Sequence, residues 1–156
     1  MKLLALALAA SLITTSSYNR SDWISASQWK KTREKILARD QIDGHWVCKY
    51  SGAVIDTRTK VDIDHVIPLK YANEHGGDQF SPDKKHKFAN DDSNLVSSSA
   101  HENRSKGDDG LSQYLPSKNT CWYYRHWDYM SRKYGIKLKG ADASILAKGL
   151  DSCPAK

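Results

Sequence analysis

Val61-Asp62-Ile63-Asp64-His65-Val66-Ile67-Pro68-Leu69 is the stretch on which the fold turns. Val61 and Ile63 alternate with Asp62 and Asp64, and period-2 alternation over this length predicts a half-buried strand. Pro68 has no N–H to give to a strand ladder, so the strand must end before it. The stretch therefore carries a carboxylate and a histidine to a strand end where the chain turns. Such a pair can hold a cation and activate a water, given partners from elsewhere. Alone, an Asp-His pair is more often structural, so the partners decide its meaning.

Downstream, residues 69–74 predict a short helix stopped by Gly76-Gly77. Ser81-Pro82-Asp83 predicts a further helix, with Ser81 as cap and Pro82 at the first helical position. Lys84, Lys85 and Lys87 ride on it as far as Asn90-Asp91-Asp92. Residues 93–98 predict a short strand, and residues 100–106 a helical turn or two ended by Gly107. Upstream, residues 21–40 predict the first helix, capped by Ser25 or Ser27, with Trp29, Ile36 and Leu37 on one face. Lys30, Lys31, Arg33 and Lys35 crowd its remainder. They read as a solvated basic surface, with contact to nucleic acid as the alternative. Residues 45–50 and 53–56 are β-prone around Ser51-Gly52, a small N-terminal hairpin with Trp46 and Tyr50 facing inward. Residues 120–134 predict a long helix capped by Asn119 or Thr120. Its aromatic face of Trp122, Tyr123, Trp127, Met130 and Tyr134 reads as core rather than as a platform for bases. Residues 141–150 predict a last short helix.

The chain of 156 residues, 39% hydrophobic and 27% charged, is long enough for one domain with a modest core. Twenty-four lysines and arginines against 18 acids give a net charge of +6, and the pI is about 9.2. A basic balance favours a polyanionic partner, because each cation set on a phosphate releases counterions. Met1-Lys2, the apolar run 3–13 and the small polar residues 14–17 read as a secretory signal peptide over residues 1–17, with cleavage between residues 10 and 19. Removing it takes away Lys2 and no acid, so the charge falls from +6 to +5. No other stretch is apolar enough to cross a membrane, which excludes a polytopic membrane protein. Three cysteines, none in a C-x-x-C pair, exclude a four-cysteine zinc site. Export makes a disulfide plausible. Cys121–Cys153 is the expected pair, since two helices that double back would bring them together, with Cys48–Cys121 as the alternative.

These pieces predict an α+β fold in which residues 18–156 form a single domain. Its C-terminal part, 117–156, is helical. Two antiparallel strands, one ending in Asp64-His65 and one beginning at Asn94, would have a helix bearing Asn103 packed across them. Asp64 and Asn103 can then face one cation. Both offer hard oxygen ligands, which suit Mg²⁺ better than Zn²⁺, with Mn²⁺ as a substitute. His65 can stay off the metal and act as general base, since its unperturbed pKa lies near 6.5. Asn94 can tie the strands together through backbone hydrogen bonds. Arg104 and Lys106 can clamp a phosphate. Asp62 shares the strand face of Asp64 and stands either behind the metal ligands or as a solvated carboxylate.

The segments Asp62 to Leu69, Phe88 to Leu95 and Asn103 to Asp108 carry the patterns D-x-D-H-h-h-P-L, F-A-N-D-x-x-N-L and N-x-S-K-G-D. In this order they resemble the HNH endonucleases of the ββα-metal (His-Me finger) type, and within them a subgroup that includes exported bacterial nucleases. The resemblance covers about residues 44–116. It implies a metal-dependent phosphodiesterase acting on DNA, with His65 as base, Asp64 and Asn103 as Mg²⁺ ligands and Asn94 as the structural asparagine. The chain departs from many relatives in having Asn103 where they have histidine, in lacking zinc-binding cysteine pairs, and in a long interval from His65 to Asn94. The expected protein is thus a secreted or periplasmic, monomeric endonuclease of low sequence specificity on DNA, with cleavage of RNA left open. The competing reading is an exported DNA-binding protein without turnover.

Overall fold

The computed structural model describes residues 17–155. Apart from Ser17, the expected signal peptide lies outside the described residues. The fold is α+β: six α-helices and two separate two-stranded antiparallel sheets among the described residues.

The first helix, α1 (Ala26–Asp40), begins five residues later than the pattern of 21–40 predicts. The Ser25 side chain accepts from the Gln28 N–H and Gln28 returns a bond to the Ser25 N–H, and this capping box fixes the start. Residues 20–22 form a separate 3-10 turn, which frees Trp23 and Ile24 to turn into the core. Ile36 and Leu37 are buried as expected.

Strands β1 (Trp46–Val47) and β2 (Val54–Ile55) form the small hairpin, with Trp46 and Tyr50 buried. Strand β3 (Val61–His65) pairs antiparallel with β4 (Leu95–Ser99), so that Asp64 lies opposite Val96 and His65 opposite Leu95. Between them run α2 (Leu69–Glu74) and α3 (Pro82–Ala89), whose cap is Ser81 as predicted. Gly76, at φ +106°, makes the left-handed turn after α2 that other residues adopt poorly. β4 leads directly into α4 (Ala100–Lys106), capped by Ser99 and stopped at Gly107, φ +50°. Helix α1 lies against the β3–β4 sheet and is fastened along it. Arg33 Nη2 donates to the Val61 carbonyl, Arg39 donates to the carbonyls of Asp92 and Leu95, and Asp40 accepts from the backbone and hydroxyl of Ser97.

The last two helices are α5 (Thr120–Tyr134) and α6 (Gly140–Asp151). Tyr123, Trp127, Met130 and Tyr134 are buried, which makes the aromatic face core, while Trp122 is half-buried. Asn119 holds the cap position but does not cap; its side chain instead donates to the Lys49 carbonyl. The Asp142 carboxylate of α6 accepts from the Tyr71 hydroxyl of α2 and from the Ser112 N–H.

Cys121 and Cys153 form the disulfide across α5 and α6, and Cys48 is a buried free thiol. The Cys48–Cys121 alternative is thereby excluded. The bridge closes a sequence separation of 32 residues, for which chain-entropy reasoning gives about 3–4 kcal/mol of stabilisation. Urea unfolding with and without reductant should therefore differ by that amount, and Cys153→Ser should reproduce the reduced value.

Candidate active site

The site is built on the end of β3. A cavity of about 260 Å³ is lined by Asp62, Ile63, Asp64 and His65 of that strand, by Asn103 of α4, and by Arg20, Trp29 and Arg33 from the N-terminal segment and α1. A larger cavity of about 480 Å³ lies elsewhere, against Lys49, Trp122 and His126, and contains none of these residues.

His65 is almost fully buried and its Nε2 lies 2.8 Å from the Ala89 carbonyl oxygen. A carbonyl only accepts, so Nε2 carries the proton and Nδ1 keeps its lone pair. The Trp29 indole stacks on the imidazole at 5.3 Å and 21°. The Arg20 guanidinium lies over the Trp29 ring as well, 5.1 Å from its centroid. Burial, aided by the nearby Arg20 and Lys106 charges and opposed by the Ala89 bond, lowers the His65 pKa to about 3. The ring is therefore neutral at physiological pH, and the burial that keeps it so also weakens it as a base.

Asn94 has no exposed surface. Its Oδ1 accepts from the Ile67 N–H at 2.9 Å and its Nδ2 donates to the Ile67 carbonyl at 3.0 Å. Its own carbonyl accepts from the Val66 N–H at 2.8 Å. One asparagine thus closes the ladder just past His65, where the proline-bound turn would otherwise leave backbone groups unpaired.

Asp64 is buried and accepts at Oδ2 from the Tyr50 hydroxyl at 2.5 Å. The same oxygen is 2.9 Å from Lys106 Nζ. Lys106 is fully buried and also donates to the His65 carbonyl at 2.9 Å. This differs from the phosphate clamp expected of Lys106: the last residue of α4 points inward, and its ammonium is committed to protein oxygens. Arg104, the other expected clamp, is exposed, bonds back to the Ala100 carbonyl of its own helix, and does not line the cavity. Asn103 donates from Nδ2 to Asp62 Oδ2 at 3.1 Å, which leaves its Oδ1 unused by that bond.

The oxygens assembled here, from Asp62, Asp64 and the Asn103 amide, are hard donors that fit a small divalent cation. His65 is kept out of the donor set at Nε2 by Ala89. No cluster of three or more His, Cys, Asp and Glu side chains suited to a metal occurs among the described residues. Any cation would thus need water and substrate oxygens to complete its shell. His75 and His126 are spent elsewhere, on Tyr71 and on the Ser93 carbonyl.

Four residues at or against the site were not assigned to it from sequence: Arg20, Trp29, Arg33 and Tyr50. Trp29 and Tyr50 read as core aromatics and Arg33 as surface. For Arg33 the run of basic residues on α1 is the only signal, and it does not say which of them turns to the site; Arg20 lies before that helix.

A model of the C-terminal domain of GmrSD restriction endonucleases matches the chain over residues 13–145. The chain is also 34% identical over 146 residues to an uncharacterized secreted protein of Arthroderma benhamiae, covering 84% of this chain and 72% of that protein. No solved structure matches it. No helix among the described residues is long and apolar enough to cross a membrane.

Proposed function

The chain belongs to the family of GmrSD restriction endonuclease C-terminal domains, and on that premise we propose that it is an exported HNH endonuclease. It hydrolyses DNA phosphodiester bonds with Mg²⁺ or Mn²⁺ and with low sequence specificity. The observation that carries the reading is one cavity in which a neutral buried histidine, two carboxylates, a carboxamide and two arginines meet. Export is supported by the secreted relative and by the Cys121–Cys153 bridge.

In this reading β3, β4 and α4 are the ββα-metal finger, with α2 and α3 inserted between its strands. Asp64 and Asn103 hold the cation, and Asp62 orients the Asn103 amide through the bond to its Nδ2. The cation, when bound, offsets charge on the phosphate and on the leaving 3′ oxygen. His65 takes a proton from the attacking water at Nδ1, because Nε2–H is fixed on Ala89. Asn94 holds the turn after His65 and so sets the ring's position. Trp29 covers the ring and excludes bulk water from one side. Arg20 and Arg33, rather than Lys106, reach the substrate phosphates. Arg33 is held for this by its bond to the Val61 carbonyl.

A plasmid-nicking assay with Mg²⁺, with EDTA as control, tests the reading. Metal-dependent conversion of supercoiled to open-circular DNA is expected; no cleavage with Mg²⁺, Mn²⁺ or Ca²⁺ would leave a DNA-binding protein without turnover. A single-stranded RNA run in parallel tells whether the pocket is selective for DNA. Arg20→Ala should raise KM for DNA by about tenfold, with kcat changed less. It should also flatten the dependence of log KM on log salt, because one phosphate contact is lost.

A further inference from the structure

Lys106 ends α4 with no exposed surface. A buried ammonium needs oxygens to replace its lost hydration. Two supply them: Asp64 Oδ2 at 2.9 Å and the His65 carbonyl at 2.9 Å. The Tyr50 hydroxyl, also fully buried, donates to the same Asp64 Oδ2 at 2.5 Å. Its ring is wedged edge-on against Tyr114 and Tyr123, each 5.9 Å away, so the hydroxyl cannot swing aside. Both donors converge on one carboxylate oxygen and leave Oδ1 for the cavity that Asp64 lines.

We propose that Lys106 and Tyr50 anchor Asp64 by Oδ2, so that it offers a divalent cation only Oδ1, and that the retained ammonium keeps cation binding weak until a phosphodiester enters. This rests on the reading of Asp64 as a cation ligand. Among the residues that line the cavity, the formal charges of Asp62 and Asp64 are matched by Arg20 and Arg33, while Lys106 lies on Asp64 and Glu34 on Arg33, so no negative charge is in surplus. Adding a divalent cation makes the balance positive, at short range and in a partly buried place where screening is weak. A phosphodiester brings the missing negative charge. Cation and DNA must then raise each other's affinity by the same factor, as linkage requires. Lys106 and Tyr50 are positioning residues with separable contributions. Lys106 fixes Asp64 and opposes the cation; Tyr50 fixes Asp64 without a charge.

The test is Mn²⁺ binding by titration calorimetry to the oxidised mature protein, with and without a short DNA duplex. His65→Ala is the background, so that the duplex stays intact. The duplex should tighten Mn²⁺ binding by at least about tenfold. Lys106→Met should tighten Mn²⁺ binding to the DNA-free protein by at least about tenfold and shrink the gain from DNA. Lys106→Gln, which keeps a donor without the charge, should do the same if the methionine variant fails to fold. Tyr50→Phe should not tighten it. Equal Mn²⁺ affinity with and without duplex overturns the proposal by itself. So does unchanged or weaker affinity in folded Lys106→Met or Lys106→Gln. Wild-type protein that nicks DNA with Mn²⁺ but shows no coupling sinks this proposal alone. Protein that binds no Mn²⁺ in either state removes the metal-site reading along with it.

Discussion

His65→Ala should lower the rate of plasmid nicking by at least about a hundredfold and leave the fold intact. The loss follows from the geometry: Nδ1 is the ring's free lone pair, and no other histidine lines the cavity. The fold should survive because, apart from the bond to the Ala89 carbonyl, the backbone contacts that close the site do not depend on the ring. The His65 carbonyl still accepts from Lys106, and Asn94 still holds Ile67. A companion effect appears in acid. Folding holds the imidazole pKa near 3, against about 6.5 in the unfolded chain. As pH falls below 6.5 the unfolded chain takes up a proton that the folded one refuses, so stability is full above that pH and is lost on the way down to about 3. Thermal unfolding between pH 7 and pH 4 should show this slope in wild type and a shallower one in His65→Gln. Activity, for the same reason, should not decline through pH 6.5 because of His65, since the base form persists well below it. A histidine titrating at its ordinary value would give the opposite profile.

The second large effect belongs to Asp64, where two substitutions differ in what they leave to the buried Lys106 ammonium. In Asp64→Asn the amide oxygen can take the place of Oδ2 and keep the bonds from Tyr50 and Lys106. The amide NH₂ then occupies the position of Oδ1 and turns a donor toward the cavity, where a cation needs an acceptor. Metal-dependent nicking should fall by roughly two to three orders of magnitude; the buried Lys106 ammonium keeps an oxygen but loses its counter-charge, so stability falls too, by less than in the alanine variant. Asp64→Ala removes both oxygens and leaves the buried Lys106 ammonium with the His65 carbonyl but no counter-charge. Breaking one side of a buried pair costs about 3–5 kcal/mol, so this variant should lose stability as well as activity. Nicking assays beside urea unfolding of both variants check the contrast. Equal stability in the two would mean that the amide oxygen does not replace Oδ2 at Lys106 and Tyr50.

The local elements were legible because local rules govern them. Alternation from Val61 to Asp64 predicted β3, Ser81-Pro82 predicted the start of α3, and Gly107 predicted the end of α4. The aromatic face of α5 proved to be core, and Cys121–Cys153 formed as expected. The start of α1 was missed because Ser21 to Ser25 carries helix-compatible residues. Which serine caps was decided by the Gln28 side chain and by the pull of Trp23 into the core.

What the sequence determined by itself was the set of chemical groups and the order in which they come. Asp62, Asp64, His65, Asn94 and Asn103 sit at spacings that a strand, a strand and a helix can bring together. Only the tertiary structure decided which charges reach the cavity. A lysine at a helix end ordinarily extends into water, where it interacts favourably with the helix dipole. In α4 that helix end is packed over β3, so Lys106 is trapped on Asp64 while Arg104, two residues earlier, faces solvent. Trp29 and Arg33 enter the site because α1 is fastened along the sheet by backbone carbonyls far away in the chain, and Arg20 comes in on the 3-10 turn before it. Helical periodicity gives each residue a direction around its own axis, and the packing of one element on another turns that direction toward the cavity or away from it.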